Sequence, residues 1–256
     1  MNDAIRSSLR HAARVAVSLG LPSAILQRGP ALQGTKFLAH AAFKARFGRG
    51  RPFRMVNVGA CDGALFDDVT PWLKRIPGSR AVLVEPIPYN QVRLRKNYPD
   101  TERFVIEPVA VTREKGTISV KTFDAAALES GKLPMEFIGC STTTDTNLMS
   151  GVGAWGETDT HFQAYTPYLK DIEVASDTLQ DVLDRNGVDY IDAFLVDCEG
   201  ADWIVFDQLD LERYRPGMIK VELGSLRPED VGRVLVKLTT AGYRIGIYSE
   251  DVWAFA

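Results

Sequence analysis

The stretch Phe53–Gly63 (Phe-Arg-Met-Val-Asn-Val-Gly-Ala-Cys-Asp-Gly) limits the possible folds more than any other part of the chain. An apolar run of strand length breaks there into a turn with glycines at 59 and 63. Glycine permits a tight bend and lets backbone N–H groups come close to a ligand. A second apolar run, Val82-Leu83-Val84, ends in Glu85-Pro86. A carboxylate about twenty residues beyond such a turn typically holds a ribose diol in α/β folds.

The remainder of the chain fits that opening. Strands are expected at 53–58, 80–85, 103–110, 191–196, 217–222, 243–248 and 252–255, with helices at 64–75, 88–97, 177–186, 201–209 and 228–241. Strands alternating with helices imply right-handed crossovers and a mostly parallel sheet. The last two strands are separated only by Ser249-Glu250-Asp251, too little for a crossover helix, so they should form an antiparallel hairpin. Gly-x-Gly-x-x-Gly is absent, which weakens the case for a pyrophosphate. An adenosine-type ligand without a diphosphate fits better, and S-adenosylmethionine fits best.

Residues 112–175 depart from the alternation. They are rich in Ser, Thr and Gly and carry Trp155, His161, Phe162, Tyr165 and Tyr168. A long insertion between core strands is more often functional than idle. It is expected to face the substrate, with a short antiparallel strand at 117–122.

Three carboxylates, Asp197, Glu199 and Asp202, follow the apolar run Ile191–Val196. Asp197 and Glu199 suit a base, a charge partner for an ammonium or metal ligands, whereas Asp202 suits the first turn of a helix. Glu222 ends the next strand on the same rim and is a weaker candidate. His161 lies in the insertion and has the chemistry of a general base, or is an exposed loop histidine without a role. No His/Asp/Asn set has a diagnostic metal spacing, so metal dependence stays open.

A hydrophobic fraction of 45% and a charged fraction of 25% are ordinary for a globular protein. Three scattered cysteines (61, 140, 198) make a disulfide framework unsuitable and a reducing, cytoplasmic location the simpler expectation. Residues 1–54 hold ten Lys or Arg against one acid, Asp3, while the rest holds twenty bases against thirty-two acids. We therefore divide the chain into a basic helical segment, 1–52, and a main domain, 53–256. In the segment, Ile5, Leu9, Ala12, Ala13, Ala16 and Leu19 form an apolar face beside Arg6, Arg10 and Arg14. Such a helix over residues 1–34 suits peripheral contact with an anionic membrane, packing as a cap on the main domain, or mitochondrial targeting. No secretory signal or membrane span is expected, and no nucleic-acid partner.

With these residues in place, the chain resembles the FkbM-type family of S-adenosylmethionine-dependent methyltransferases. The resemblance runs from about Met55 to the C-terminus. It rests on Val56-Asn57-Val58-Gly59-Ala60-Cys61-Asp62-Gly63, Val84-Glu85-Pro86-Ile87-Pro88, Val109-Ala110-Val111, Thr178-Leu179, Ile191-Asp192, Asp197-Cys198-Glu199-Gly200-Ala201-Asp202 and Val221-Glu222. Asn57 stands where the family usually has Asp, and Gln180 where an acid commonly follows Thr-Leu. The resemblance implies a Rossmann-like class I methyltransferase fold, with a mostly parallel seven-stranded sheet, a C-terminal antiparallel hairpin and helices on both faces. It implies S-adenosyl-L-methionine as methyl donor, with Asn57, Gly59, Ala60, Asp62, Gly63 and Ala110 around it. Glu85 would take the ribose, Pro86 and Ile87 would lie near the adenine, and Asp197 and Glu199 near the methyl group. It further implies O-methylation of a small-molecule or glycan acceptor, such as a sugar or polyketide-type product. The residues leave two rivals: an NAD-dependent oxidoreductase, and a non-catalytic binding protein on the same scaffold.

Overall fold

The structure, a computed structural model, describes residues 51–65, 70–143, 165–248 and 250–256. The basic segment up to residue 50, and His161, Trp155 and Phe162, lie outside the described residues.

Apolar strands form the centre of the molecule. They are β1 (Arg54–Val58), β2 (Arg80–Val84), β3 (Phe104–Glu107), β7 (Ala193–Val196), β8 (Met218–Glu222), β9 (Arg244–Tyr248) and β10 (Asp251–Phe255). They form one seven-stranded sheet in the order β3-β2-β1-β7-β8-β10-β9. All neighbours are parallel except β10, which runs antiparallel to both β8 and β9. The expected sheet, including its terminal hairpin, is present: a Rossmann-like, mostly parallel seven-stranded sheet with helices on both faces. The strands run outward in sequence order from β1 to β3 on one side and from β7 to β8 on the other, where β10 inserts between β8 and the edge strand β9. The crevice at the carboxyl ends of β1 and β7 is therefore a topological switch point, where open α/β sheets bind ligands.

Helices cover both faces. On one face, α4 (Leu179–Arg185), α5 (Asp202–Gln208) and α6 (Pro228–Thr240) bury Leu179, Val182, Phe206, Val234, Leu235 and Leu238 against Val56, Phe194, Ile219 and Val221 of the sheet. On the other, α1 (Thr70–Arg75) and α2 (Pro88–Asn97) bury Leu73 and Leu94, with Tyr98, against Met55, Leu83, Leu195 and Trp253. This alternation of sides follows from the period-two pleat of each strand.

Three boundaries differ from expectation. The helix expected at 64–75 is seen at Thr70–Arg75, but at its expected start the Asp62 carboxylate accepts from the N–H groups of Ala64 and Leu65 and holds them in a bend. The strand expected at 103–110 ends at Glu107, and Ala110–Val111 forms a separate strand, β4. Pro108 lies between them and has no N–H to give a ladder. The short strand expected at 117–122 is an eight-residue strand, β5 (Gly116–Phe123). It pairs antiparallel with β6 (Leu169–Asp177), for which the sequence reading had no strand. With β4 these make a second sheet, β4-β6-β5, followed on the β5 side by a short helix, α3 (Ala125–Glu129), and a 3-10 turn at Met135–Gly139. The insertion thus contains a small layer with its own apolar cluster of Phe123, Leu128, Leu133, Phe137 and Ile138. Among the described residues no helix is long and apolar enough to cross a membrane.

Candidate active site

The turn after β1 is built by contacts that only glycine allows. Gly59 has φ +84°, and a Cβ there would fall 1.7 Å from the Asp197 carbonyl oxygen. The turns following β1 and β7 are therefore in backbone contact at the switch point. Gly63 has φ +67°, and a Cβ there would meet the Tyr98 ring at 2.5 Å. The N–H groups of Gly59 and Ala60 both donate to the Val84 carbonyl at 3.0 Å, tying this turn to the end of β2.

Glu85, just beyond β2, is buried. Its Oε2 accepts from the Cys61 N–H at 2.8 Å, and its Oε1 accepts from the Ile87 N–H at 2.9 Å and more weakly from Asn90 Nδ2. Oε2 retains a lone pair for a ligand hydroxyl. Burial pushes the carboxyl up to about 7 against the pull of those donors. Asn90 also donates to the Ile138 carbonyl at 3.0 Å, so the insertion is fastened to the same corner.

On the other side of the crevice, Lys220 places its ammonium 3.2 Å from Asp197 Oδ2 and 3.3 Å from Asp251 Oδ1. Glu199 stands in a left-handed backbone conformation, φ +50°. Its carbonyl accepts from Thr142 Oγ1 and its carboxylate from Ser225 Oγ. Burial, then the charges of Asp197 and Asp202, push Glu199 up to about 8. Asp202 is completely buried and accepts from the Cys198 and Gly200 N–H groups, so it holds the loop that carries Glu199. That is a structural part, though one played on the loop as well as at the start of α5.

Glu85, Asn90, Asp197, Glu199, Lys220 and Asp251 line one cavity of about 430 Å³, within the usual range for small-molecule sites. Asn57, Gly59, Ala60, Asp62, Gly63, Glu85, Pro86, Ile87, Ala110, Asp197 and Glu199 are all on its wall. Every described residue singled out from the sequence as catalytic or cofactor-binding is thus brought together, while His161 lies outside the described residues. Asp62 has its carboxylate engaged by Ala64, Leu65 and Arg93, so its contribution is to shape the turn. The insertion adds Val120, Ile138, Cys140 and Ser141 to the wall. Sequence reasoning missed Asn90, Lys220 and Ser225. Lys220 had a usable signal: it precedes Glu222 by two on β8, so the two share a face.

Desolvation raises all three thiols, Cys140 to about 12, and nearby carboxylates push in the same direction. They remain protonated and are no nucleophiles. Among the described residues no group of three or more His, Cys, Asp or Glu is arranged to hold a metal ion.

A doubly wound sheet with a glycine turn, a buried carboxylate after β2 and an acidic rim makes up a Rossmann-like domain with one polar cavity at its switch point. The chain belongs to the family described as the methyltransferase FkbM domain, whose model matches residues 57–245. That membership decides between methyl transfer and the nicotinamide reading. Among solved structures, the chain is similar to the O-methyltransferase TomG from Streptomyces achromogenes, involved in tomaymycin synthesis and bound to SAM. The two are 13% identical, with 97% of this chain and 89% of that one covered and a TM-score of 0.42. It is likewise similar to an O-methyltransferase from Bacillus cereus in complex with SAH, at 13% identity, 98% and 91% coverage and a TM-score of 0.42. No curated protein sequence matches this chain significantly.

Proposed function

We propose that this methyltransferase uses S-adenosyl-L-methionine to methylate a hydroxyl oxygen of a small-molecule or glycan acceptor, such as a sugar or polyketide-type product. The observation that carries the donor is the pairing of Glu85, with its spare acceptor capacity, and the Gly59 turn, which admits no side chain. The cavity fits such a donor: a carboxylate for ribose hydroxyls, apolar Ile87, Val120 and Ile138 beside it, and carboxylates for a cationic end. S-adenosyl-L-methionine supplies an activated methyl group, so the protein chiefly aligns the reactants and removes a proton.

In this reading Glu85 orients the nucleoside, the Gly59–Gly63 turn leaves room beside it, and Asp197 and Glu199 border the reacting end. Carboxylates able to accept a proton, next to thiols that stay neutral, support oxygen methylation by a base. Residues 1–52 are treated as an attached basic segment on a catalytic domain of residues 53–256. Calorimetry with S-adenosyl-L-methionine tests the donor, with micromolar binding expected, about −8 kcal/mol. Hydroxyl acceptors are then screened with radiolabelled donor, with and without chelator, following release of S-adenosylhomocysteine. Donor binding without release for any acceptor would favour a non-catalytic binding protein.

A further inference from the structure

Glu222 ends β8 with only 8% of its surface exposed, on the cavity wall. Its Oε2 is buried and has no hydrogen-bond partner among the described residues. Such an oxygen is costly to leave unmet, and a ligand donor would satisfy it. The other oxygen, Oε1, lies 3.3 Å from Ser225 Oγ, and the same hydroxyl lies 3.2 Å from Glu199 Oε2. A hydroxyl has one proton, so it donates to one carboxylate and bonds the other only if that one is protonated. Ser225 therefore joins the two carboxyls into a unit completed by a single shared proton.

The surroundings set this unit apart from Asp197. Facing it are Asp197 from the end of β7, Asp202 from α5, Glu250 and Asp251 from the turn before β10 and its first residue, the Cys140 thiol from the insertion, and Lys220 from β8 itself. Lys220 is the one Lys or Arg among the described lining residues, and its ammonium is engaged by Asp197 and Asp251. The Asp197 carboxylate is engaged directly by the Lys220 ammonium, whereas Glu222 and Glu199 form no salt bridge among the described contacts. Along the crevice, Glu85, Gly59, Asp197 and Glu222 follow in the order β2, β1, β7, β8. A ligand anchored at Glu85 meets the carboxylates of β7 and β8 at its far end.

We propose that Glu222, bridged through Ser225 to Glu199, faces the reacting methyl group and takes the acceptor's hydroxyl proton during transfer. This rests on the donor and acceptor reading above. The acceptor oxygen forms its bond to the methyl carbon as the sulfur–carbon pair returns to sulfur, and the hydroxyl proton passes to the carboxylate. A sulfonium cation becomes a neutral thioether and a carboxylate anion a carboxylic acid, so charge balances. Burial and the surrounding negative charges raise Glu199 to about 8 and Glu222 above the usual carboxylate range. The unit is therefore a stronger base than a carboxylate in water.

The test needs no acceptor. Sinefungin carries an amine-bearing carbon in place of the methylated sulfur, whereas S-adenosylhomocysteine has a neutral sulfur there. Calorimetry of the full chain at pH 8.5 should show sinefungin binding about 10-fold or more tighter than S-adenosylhomocysteine. In Glu222→Gln that preference should fall below about 3-fold, with S-adenosylhomocysteine affinity within about 3-fold of wild type. Ser225→Ala keeps both carboxylates and should retain the preference, but its onset should move to higher pH because a hydrogen-bond donor is lost. No preference in the wild type, a preference independent of pH from 6 to 9, or one that survives in Glu222→Gln would each overturn the inference. These first two measurements stand even if Glu222→Gln does not fold. S-adenosylhomocysteine binding without a preference leaves the donor reading intact. No binding at all overturns both.

Discussion

Gly59 and Glu85 show how single residues set this site. With φ +84° and the Asp197 carbonyl where a Cβ would stand, Gly59→Ala forces apart the turns after β1 and β7. We expect it to lose about 3 kcal/mol or more of stability and to bind no donor, as read by denaturant unfolding and calorimetry. A soluble variant with wild-type affinity would show that the turn is not the donor's cradle. Glu85→Ala removes an acceptor for the ribose hydroxyls, and donor affinity should fall by about 1–3 kcal/mol, roughly 10- to 100-fold. Because Glu85 also holds the Cys61 and Ile87 N–H groups, thermal unfolding must accompany the calorimetry. Unchanged affinity in a folded variant would refute the assignment. These two residues were legible in the sequence because strand, turn and carboxylate follow one another along the chain. Lys220 and Ser225 each have Glu222 close by in the sequence, but their partners Asp197, Asp251 and Glu199 reach them only when β7, β8 and β10 pair.

At the level of elements, sequence patterning located the strands of the main sheet and most helices to within a few residues. The second sheet was half visible. β5 was signalled by its own pattern, but β6 exposes Lys170 and Asp171 on opposite faces and so lacks a clean alternation, and its pairing starts from Phe123, across a long stretch of chain. A pairing so remote leaves no local mark. What fastens this sheet to the main one is equally non-local. Arg185 of α4 donates to Glu107 at the end of β3 and to Asp177 at the end of β6. Arg185→Ala leaves two mostly buried carboxylates short of their cation, and should cost about 1–3 kcal/mol. Donor affinity should change little, since Arg185 is not on the cavity wall. Chemical denaturation of the variant checks the first expectation, and a loss under half that range would mean that the two sheets are held mainly by their apolar contacts.

Across the whole molecule, the cavity gathers negative charge, and pH should reveal what that costs the fold. Burial raises Glu85 to about 7; burial and then Asp197 raise Asp202 to about 7 and Glu199 to about 8. In the unfolded chain such carboxyls titrate near 4. Between about pH 4 and pH 8 the folded protein therefore holds protons that the unfolded chain has released, and its stability must fall as pH rises through that window. The opposite group of carboxylates acts elsewhere. Asp124 is lowered by Lys170, and Asp177 is lowered because Arg185 outweighs its burial, so both matter only below about pH 4. The melting temperature of the ligand-free protein should accordingly decline from pH 5 to pH 8. A cationic donor favours the ionised carboxylates, so the rise in melting temperature produced by S-adenosyl-L-methionine should grow over the same interval. Thermal unfolding at matched ionic strength, with and without donor, measures both slopes. A ligand-free protein whose melting temperature is flat or rising between pH 5 and pH 8 would mean that these carboxyls titrate as they do in water. The acidic rim would then be hydrated, and its carboxylates would be no better proton acceptors than any on the surface.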